Sequence, residues 1–302
     1  MGTRKEEKDS RGKTRGKRRG GKDASKKKVS SGKKSEKELG KEGVKADLQS
    51  FYNHEAKKYY ETRKKFWKEG ELLLEEMDSF EGKKVSILEF GCGSGRFASF
   101  LRERYSGKFS YVGVDLSEGL LSYAQKENPK LTFICEDISE FVVKQKQESF
   151  DIIIGTSSFQ HIPSFKERLF LMKHFYRLLK YDGKVIMTNW SLSHRFIKKH
   201  WGEIAKAMGR YVLSFGKASR RDILVPWTNK GQTFKRYYHL FDLKELKRLS
   251  DFSGLNLEEL CYLDNEGKKS KEWKSSRSSL FVAKKSPIVE EKDSEHMKKC
   301  TI

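Results

Sequence analysis

The residues from Val85 to Phe97 (Val-Ser-Ile-Leu-Glu-Phe-Gly-Cys-Gly-Ser-Gly-Arg-Phe) constrain this chain more than any other stretch. An apolar run of β character leads into three closely spaced glycines, Gly91, Gly93 and Gly95, and then into residues able to start a helix. Glycine loses more conformational entropy on folding than any other residue. A strand-to-helix junction therefore keeps several only where the backbone turns sharply or touches a ligand. Either this is a tight turn with nothing bound, or it is a nucleotide-type cofactor loop. Spacing narrows the second reading. The dinucleotide fingerprint G-x-G-x-x-G wants glycine at position 96, where this chain has Arg96, so a nicotinamide cofactor is disfavoured.

From Val85 onward, short apolar runs alternate with amphipathic segments. Strands are predicted at Val85 to Phe90, Tyr111 to Val114, Leu131 to Cys135, Phe150 to Gly155 and Lys184 to Trp190, then near Leu257 to Leu263 and Ser279 to Ala283. Helices are predicted at Arg96 to Tyr105, Glu118 to Glu127, Lys166 to Leu179 (ended by the turn Lys180-Tyr181-Asp182-Gly183) and Leu243 to Phe252. This rhythm implies an α/β fold: a doubly wound, Rossmann-like, seven-stranded sheet with its ligand crevice at the carboxyl ends of the strands. Leu48 to Met77 reads as an N-terminal helical cap, whose aromatics are core if it only packs; if it closes over a cofactor, Tyr59, Tyr60 and Arg63 face the site. Ser193 to Lys235 breaks the alternation and reads as an inserted basic segment. Its Lys and Arg residues interleaved with Phe196, Trp201, Tyr211 and Phe215 fit either a surface for folded RNA or an amphipathic helix with its aromatics turned inward.

Charge is unevenly spread along the 302 residues. Residues 1–47 hold 18 Lys and Arg against 8 Asp and Glu, a net +10 of the whole chain's +22, with few large apolar residues. The expected organisation is a disordered basic tail over 1–47, a folded domain over 48–285 with the insertion at 193–235, and a flexible tail over 286–302. A strongly basic chain favours a polyanionic partner, because Lys and Arg release counterions when they neutralise phosphates. The tail itself reads as a nuclear address, a nucleic-acid arm or a solvated charge run. Cys92, Cys135, Cys261 and Cys300 are far apart with no C-x-x-C pair, which argues against a metal site or a disulfide framework. With no long apolar stretch and no hydrophobic leader, the expectation is a protein without membrane association, cytoplasmic and also nuclear if the tail is an address.

Acidic residues complete the cofactor pattern. Glu89 closes the first strand, Asp115 the second, and Glu136-Asp137-Ile138 follows the third. The form Glu-x-Gly-x-Gly-x-Gly resembles motif I of class I S-adenosylmethionine-dependent methyltransferases. That resemblance implies S-adenosylmethionine as cofactor, held by Glu89, Gly91, Gly93, Gly95, Asp115, Leu116, Asp137, Ile138 and Ser157. Asp115 would accept both ribose hydroxyls, and Asp137 the adenine amine, with Ile138 on the ring.

A narrower likeness rests on five further segments. They are Phe51-Tyr52 through Thr62-Arg63, Gln160-His161 after strand four, Lys184 to Trp190, Val225-Pro226-Trp227, and above all Arg236-Tyr237-Tyr238-His239-Leu240-Phe241. Over Phe51 to Lys284 the chain is similar to the tRNA wobble-uridine methyltransferases, which methylate the carboxylate of 5-carboxymethyluridine. Only His161 stands where that family often has a His pair, and Lys64-Lys65-Phe66-Trp67 follows Thr62-Arg63 in place of Pro-Trp. The resemblance implies tRNA as substrate, a small zinc-binding activator subunit as partner, and Arg236, His161, Arg63, Tyr238 and His239 as catalytic residues. Arg236 and Arg63 are chosen because a carboxylate, already ionised near neutral pH, needs a planar bidentate grip and no general base. Without the resemblance, Arg236 and His239 read as the start of the next helix, and Tyr237 and Tyr238 as core, sooner than as site residues. The competing functions are methylation of another carboxylate, and an inactive RNA-binding protein of the same fold.

Overall fold

The computed structural model describes residues 41–63, 68–80, 82–229 and 231–286. The tail expected over 1–47 lies outside them up to residue 40, as do Lys64 to Trp67 and all of the C-terminal tail beyond Ser286.

The centre is a mostly parallel sheet. Strands β1 (Val85–Phe90), β2 (Phe109–Asp115), β3 (Thr132–Cys135), β4 (Phe150–Thr156), β5 (Leu179–Trp190), β8 (Asn256–Leu263), β9 (Lys269–Ser270) and β10 (Ser278–Lys284) stand in the order β3-β2-β1-β4-β5-β10-β8-β9. The seven expected strands are all present. The eighth, β9, is a two-residue edge strand inside what reads in sequence as a basic loop. β10 runs antiparallel between β5 and β8. The chain order reverses at β1, flanked by β2 and β4, so a crevice opens there beyond the strand ends.

Successive strand side chains point to opposite faces, and the apolar runs fill both. Ile87, Ile152, Ile154, Ile186, Leu280 and Val282 join Phe97 and Leu101 of α4 (Arg96–Arg104) on one face. Leu88, Ile153, Val185, Met187 and Phe281 join Phe141 of α6 (Ile138–Lys144), Phe175 of α7 (Phe165–Leu178) and Leu249 of α9 (Leu243–Ser253) on the other. The short helix α6 escapes the sequence reading because its seven residues, about two turns, carry too few apolar positions to show a period.

Three expected boundaries shift. The first helix, α1 (Lys41–His54), opens before Leu48, because Val44 and Leu48 are buried together against Tyr237. It is followed by α2 (Ala56–Glu61) and α3 (Gly70–Glu75). The predicted turn at Lys180 to Gly183 is part of β5, and Asp182, not the glycine, takes the left-handed conformation there (φ 63°). The insertion holds α8 (His194–Leu213) and begins a hairpin of β6 (Asp222–Asn229) with β7 (Gln232–His239) that runs past its expected end at Lys235. Arg236 to His239 therefore lie on a strand and do not begin a helix. α5 (Glu118–Glu127) covers the β2–β3 side, as expected.

Close packing at the strand ends sets one sharp demand. A Cβ on Gly155 would sit 2.1 Å from Cζ of Phe90, and that ring is buried and stacked on Phe175 at 5.0 Å. Gly155→Ala is expected to destabilise the fold by about 1–3 kcal/mol, the usual cost of overpacking a filled core, read as a lower urea midpoint at unchanged slope.

Candidate active site

The glycine loop leaves β1 with Gly91, Gly93 and Gly95 all at positive φ (64°, 54° and 73°). Gly91 also meets the loop after β4, where an added Cβ would come within 2.4 Å of the Ser158 hydroxyl, itself bonded to the Gly91 carbonyl at 3.0 Å. Asp115 ties the loop to β2, its carboxylate accepting from the Gly93 N–H at 2.8 Å and the Ser117 N–H at 2.9 Å. Burial raises the Asp115 pKa, and those two N–H groups oppose the rise.

A cavity lies above these loops. Its walls include Glu89, Gly91, Gly93, Asp115, Leu116, Asp137, Ile138, Ser157 and His161 among the sequence-derived residues. Gly95 is not in the wall: it packs against α5, where an added Cβ would come 3.0 Å from that of Ala124. Glu89 sits at the floor with its carboxyl pushed up to about 8 by burial, against the Tyr111 hydroxyl that donates to it and the charge of Arg96. Ser157 holds a left-handed backbone (φ 56°), and its N–H bonds the Thr188 carbonyl.

Helix α1 forms the lid, with Lys45, Leu48, Gln49 and Tyr52 in the wall. Gln49 donates to the Leu116 carbonyl at 3.0 Å, and Lys45 pairs with Asp137 at 2.8 Å. The other Asp137 oxygen caps α6 through the Ser139 N–H. Lys45 and Gln49 are absent from the sequence-derived site; Lys45 falls within the expected tail, and nothing in its local pattern separates it from the other tail lysines.

Beyond the cavity is an aromatic cage. Tyr52 donates its hydroxyl to His161 Nε2 (3.2 Å), while His161 Nδ1–H donates to the Tyr237 carbonyl (2.8 Å). The carbonyl can only accept, which fixes the proton on Nδ1. Burial pulls the His161 pKa down to about 4, the carbonyl bond opposes this, and Arg236 adds to it. Tyr238 lies 4.7 Å from the His161 ring and stacks on Trp190 at 4.7 Å.

Arg236, 6% exposed, places its guanidinium carbon 5.0 Å from Phe51, 5.0 Å from Trp227 and 5.3 Å from Tyr238. Its Nε is buried with no hydrogen-bond partner, and among the described residues no carboxylate pairs with it. Arg63 covers Tyr59 at 4.2 Å and Trp227 at 5.4 Å. The cage is clamped by Glu55, 1% exposed, which accepts from Trp227 Nε1 at 3.0 Å and from Asn229 Nδ2 at 2.9 Å. Burial works to raise the Glu55 pKa, yet those hydrogen bonds and His54 bring it below the ordinary carboxylate value. Glu55 does not stand out in sequence, and Trp227 enters only as part of the Val225-Pro226-Trp227 segment of the resemblance; nothing local joins them, since their contact spans 172 positions.

Two sequence expectations are corrected. His239 is remote from the cavity: Asp222 (2.6 Å) and Glu245 (2.8 Å) hold its two nitrogens, and Arg168 pairs with Glu245 behind it. Strand alternation places His239 opposite Arg236 and Tyr238. Tyr60 turns away as well, stacking on Tyr123 at 4.4 Å. Gln160, where the resemblance has a second His, is structural, its side-chain oxygen accepting from the Trp190 N–H at 2.7 Å.

Comparison with known proteins agrees with this geometry. A family model described as "Methyltransferase domain" matches residues 87–183. A malonyl-[acyl-carrier protein] O-methyltransferase of Priestia megaterium is 28% identical over 123 residues, 40% of this chain and 42% of that protein. The chain thus spans about two fifths of the length of the first curated relatives it matches. A protein of Encephalitozoon cuniculi assigned as a methyltransferase is 28% identical over 207 residues, 68% of this chain and 86% of that one. Among solved structures, an S-adenosylmethionine-dependent methyltransferase of Methanosarcina mazei superposes with a TM-score of 0.56 at 17% identity, covering 70% of this chain and 97% of that one. One from Clostridium acetobutylicum gives 0.55 at 14%, covering 80% and 100%.

Residues 87–183 match a methyltransferase domain, the fold is that of the S-adenosylmethionine-dependent methyltransferase structures it superposes on, and S-adenosylmethionine is the cofactor these likenesses support. The cavity fits that group. Its wall holds Ser94, whose buried hydroxyl has no hydrogen-bond partner, beside a glycine cradle and two acidic strand ends.

Asp115→Ala is expected to weaken S-adenosylmethionine binding about tenfold to a hundredfold, as loss of hydrogen bonds to a charged acceptor does, measured by titration calorimetry. His161 carries a pH signature. A His whose folded pKa is depressed adds stability that is present above its unfolded value near 6.5 and lost as pH falls towards 4. The urea-midpoint difference between wild type and His161→Gln should therefore shrink between pH 7 and pH 4.5.

Proposed function

We propose that this chain methylates a carboxylate with S-adenosylmethionine, and that the carboxylate belongs to 5-carboxymethyluridine at the wobble position of tRNA. The observation that carries this reading is Arg236, a buried guanidinium with an unpartnered Nε and no carboxylate opposite it among the described residues. Burying a charge unpaired costs several kcal/mol. A carboxylate ligand offsets that cost, and the planar fork of Arg grips it through two hydrogen bonds.

The position fits the chemistry. Arg236 contacts Tyr238, Tyr238 contacts His161, and His161 is in the wall of the cofactor cavity. When bound, S-adenosylmethionine supplies a sulfonium methyl that a carboxylate oxygen can attack directly, the C–S electron pair leaving with sulfur. No proton moves, so the protein needs no base. His161, neutral and held by Tyr52 and the Tyr237 carbonyl, shapes the passage between cage and cavity. Arg236 and the aromatic rings orient the carboxylate and exclude water, and orientation alone is worth several kcal/mol of barrier. Arg63, half-buried over Tyr59 and Trp227, adds a second cation at the same wall.

The tRNA is supported by the resemblance over Val225 to Trp227 and Arg236 to Phe241, whose Trp227, Arg236 and Tyr238 share one face of the hairpin. The activator subunit is likewise part of this reading by resemblance. A second reading, another carboxylate as acceptor, is favoured by the malonyl-[acyl-carrier protein] O-methyltransferases among the relatives, since a malonyl thioester presents a free carboxylate.

Nucleosides from cells lacking the protein should show loss of the wobble methyl ester and accumulation of the free acid by mass spectrometry; an unchanged ester level rejects the tRNA reading. In vitro, Arg236→Gln should lower turnover at least about a hundredfold with cofactor affinity retained, and Arg236→Lys should restore only part of it.

A further inference from the structure

The insertion helix α8 is amphipathic with one face left open. Inward, Ala207, Ile204 and Phe196 pack on Ile223, Val225 and Tyr238 of the hairpin. Outward, Trp201 is 70% exposed, in company with exposed Lys198, Lys199 and Lys206. The helix holds five Lys and Arg and a single acidic residue, Glu203.

Its place ties it to the cage. Arg236 lies over Tyr238, Tyr238 stacks on Trp190, Trp190 meets Phe196 at 5.8 Å, and Phe196 meets His200 at 4.7 Å. At His200 the backbone leaves helical geometry (φ −123°, ψ 26°), and Trp201 follows immediately. The kink ends the chain of touching rings from Arg236 at the point where a large planar ring and two lysines enter solvent.

We propose that the exposed stretch of α8 at the kink, Trp201 with Lys198 and Lys199, binds the RNA that flanks the reacting nucleotide, Trp201 stacking on an unpaired base and the lysines meeting backbone phosphates. The proposal rests on the carboxymethyluridine reading of the Arg236 cage and names the surface that reading lacks. Charge selects the occupant. A single-stranded RNA loop supplies an aromatic face for the exposed indole, phosphates for the lysines, and a nucleotide able to reach the buried guanidinium. An anionic membrane would match the lysines and the indole but leave the cage without a ligand.

The test uses the full chain with a tRNA anticodon stem-loop carrying 5-carboxymethyluridine, binding being measured by fluorescence anisotropy across salt concentrations. Trp201→Ala should weaken binding about fivefold or more, the usual effect of removing one stacked base. Joint Lys198→Glu and Lys199→Glu should flatten the log–log salt slope by about 0.7 for each phosphate left unneutralised. Cofactor affinity and urea midpoint, read in parallel, should match wild type, since none of the three side chains touches the cavity or the core. RNA affinity and salt slope unchanged in both variants, with the ester still formed, overturns this surface and leaves the carboxymethyluridine reading intact. Loss in the variants of binding to phosphatidylserine vesicles, with RNA binding intact, overturns it in favour of a membrane. Failure of the wild-type chain both to bind the stem-loop and to form the ester overturns the parent reading as well.

Discussion

Everything at this site hangs on parallel strands buried on both faces. A strand covered by helices on either side cannot slip by one residue without exchanging its two sets of side chains, and in β1 and β4 nearly every side chain of both sets is buried. Register is therefore rigid: Phe90 is opposite Val114, and Asp115 opposite Cys135. That alignment brings the glycine loop, Asp115, Asp137 and the Ser157 loop to one edge, the place where the chain order reverses. The same packing leaves no room at Gly155 and Gly91, so the loops after β1 and β4 touch and form one wall.

The acceptor side is built differently. Cap and hairpin meet through apolar contacts, Val44 and Leu48 on Tyr237 and Phe51 on Trp227 and Phe234, and a buried carboxylate adds a polar clamp. Glu55 leaves the end of α1 and collects Trp227 and Asn229 from β6, while Lys58 reaches the Asn229 side-chain oxygen at 2.8 Å. A carboxylate with several N–H donors is satisfied at low dielectric, and such a network specifies geometry more sharply than apolar contact. Trp227 is thereby held where both arginines can lie against its ring.

Charge pairing separates two residues three positions apart on β7. His239 is surrounded by Asp222, Glu245 and, through Glu245, Arg168, a buried polar cluster in which His239 and Arg168 each face a carboxylate, although Arg168 Nε has no hydrogen-bond partner. Arg236, on the opposite face of the strand, has aromatic neighbours and an unsatisfied nitrogen. The first arrangement pairs its cation with a carboxylate of the chain, and the second, among the described residues, does not. Strand alternation, had Arg236 to Phe241 been read as a strand, would have separated them in advance; the doubled aromatic Tyr237-Tyr238 gives no alternating polarity by which to see it.

The sequence by itself determined the sheet, its helices and the cofactor edge, because these rest on local signals: apolar runs of strand length, helical periodicity, and a glycine spacing whose chemistry is carried within thirteen residues. It also placed Arg236, Tyr238 and His161 among the site residues through the resemblance. Only the tertiary structure decided that helix α1 begins at Lys41 and lends Lys45 and Gln49 to the cavity, that Glu55 clamps Trp227, that His239 and Tyr60 turn away, and that α8 packs Phe196 on the hairpin while exposing Trp201. Each of those outcomes depends on a partner far along the chain. A residue's own neighbours in sequence carry no information about which distant side chain will satisfy its charge or cover its ring.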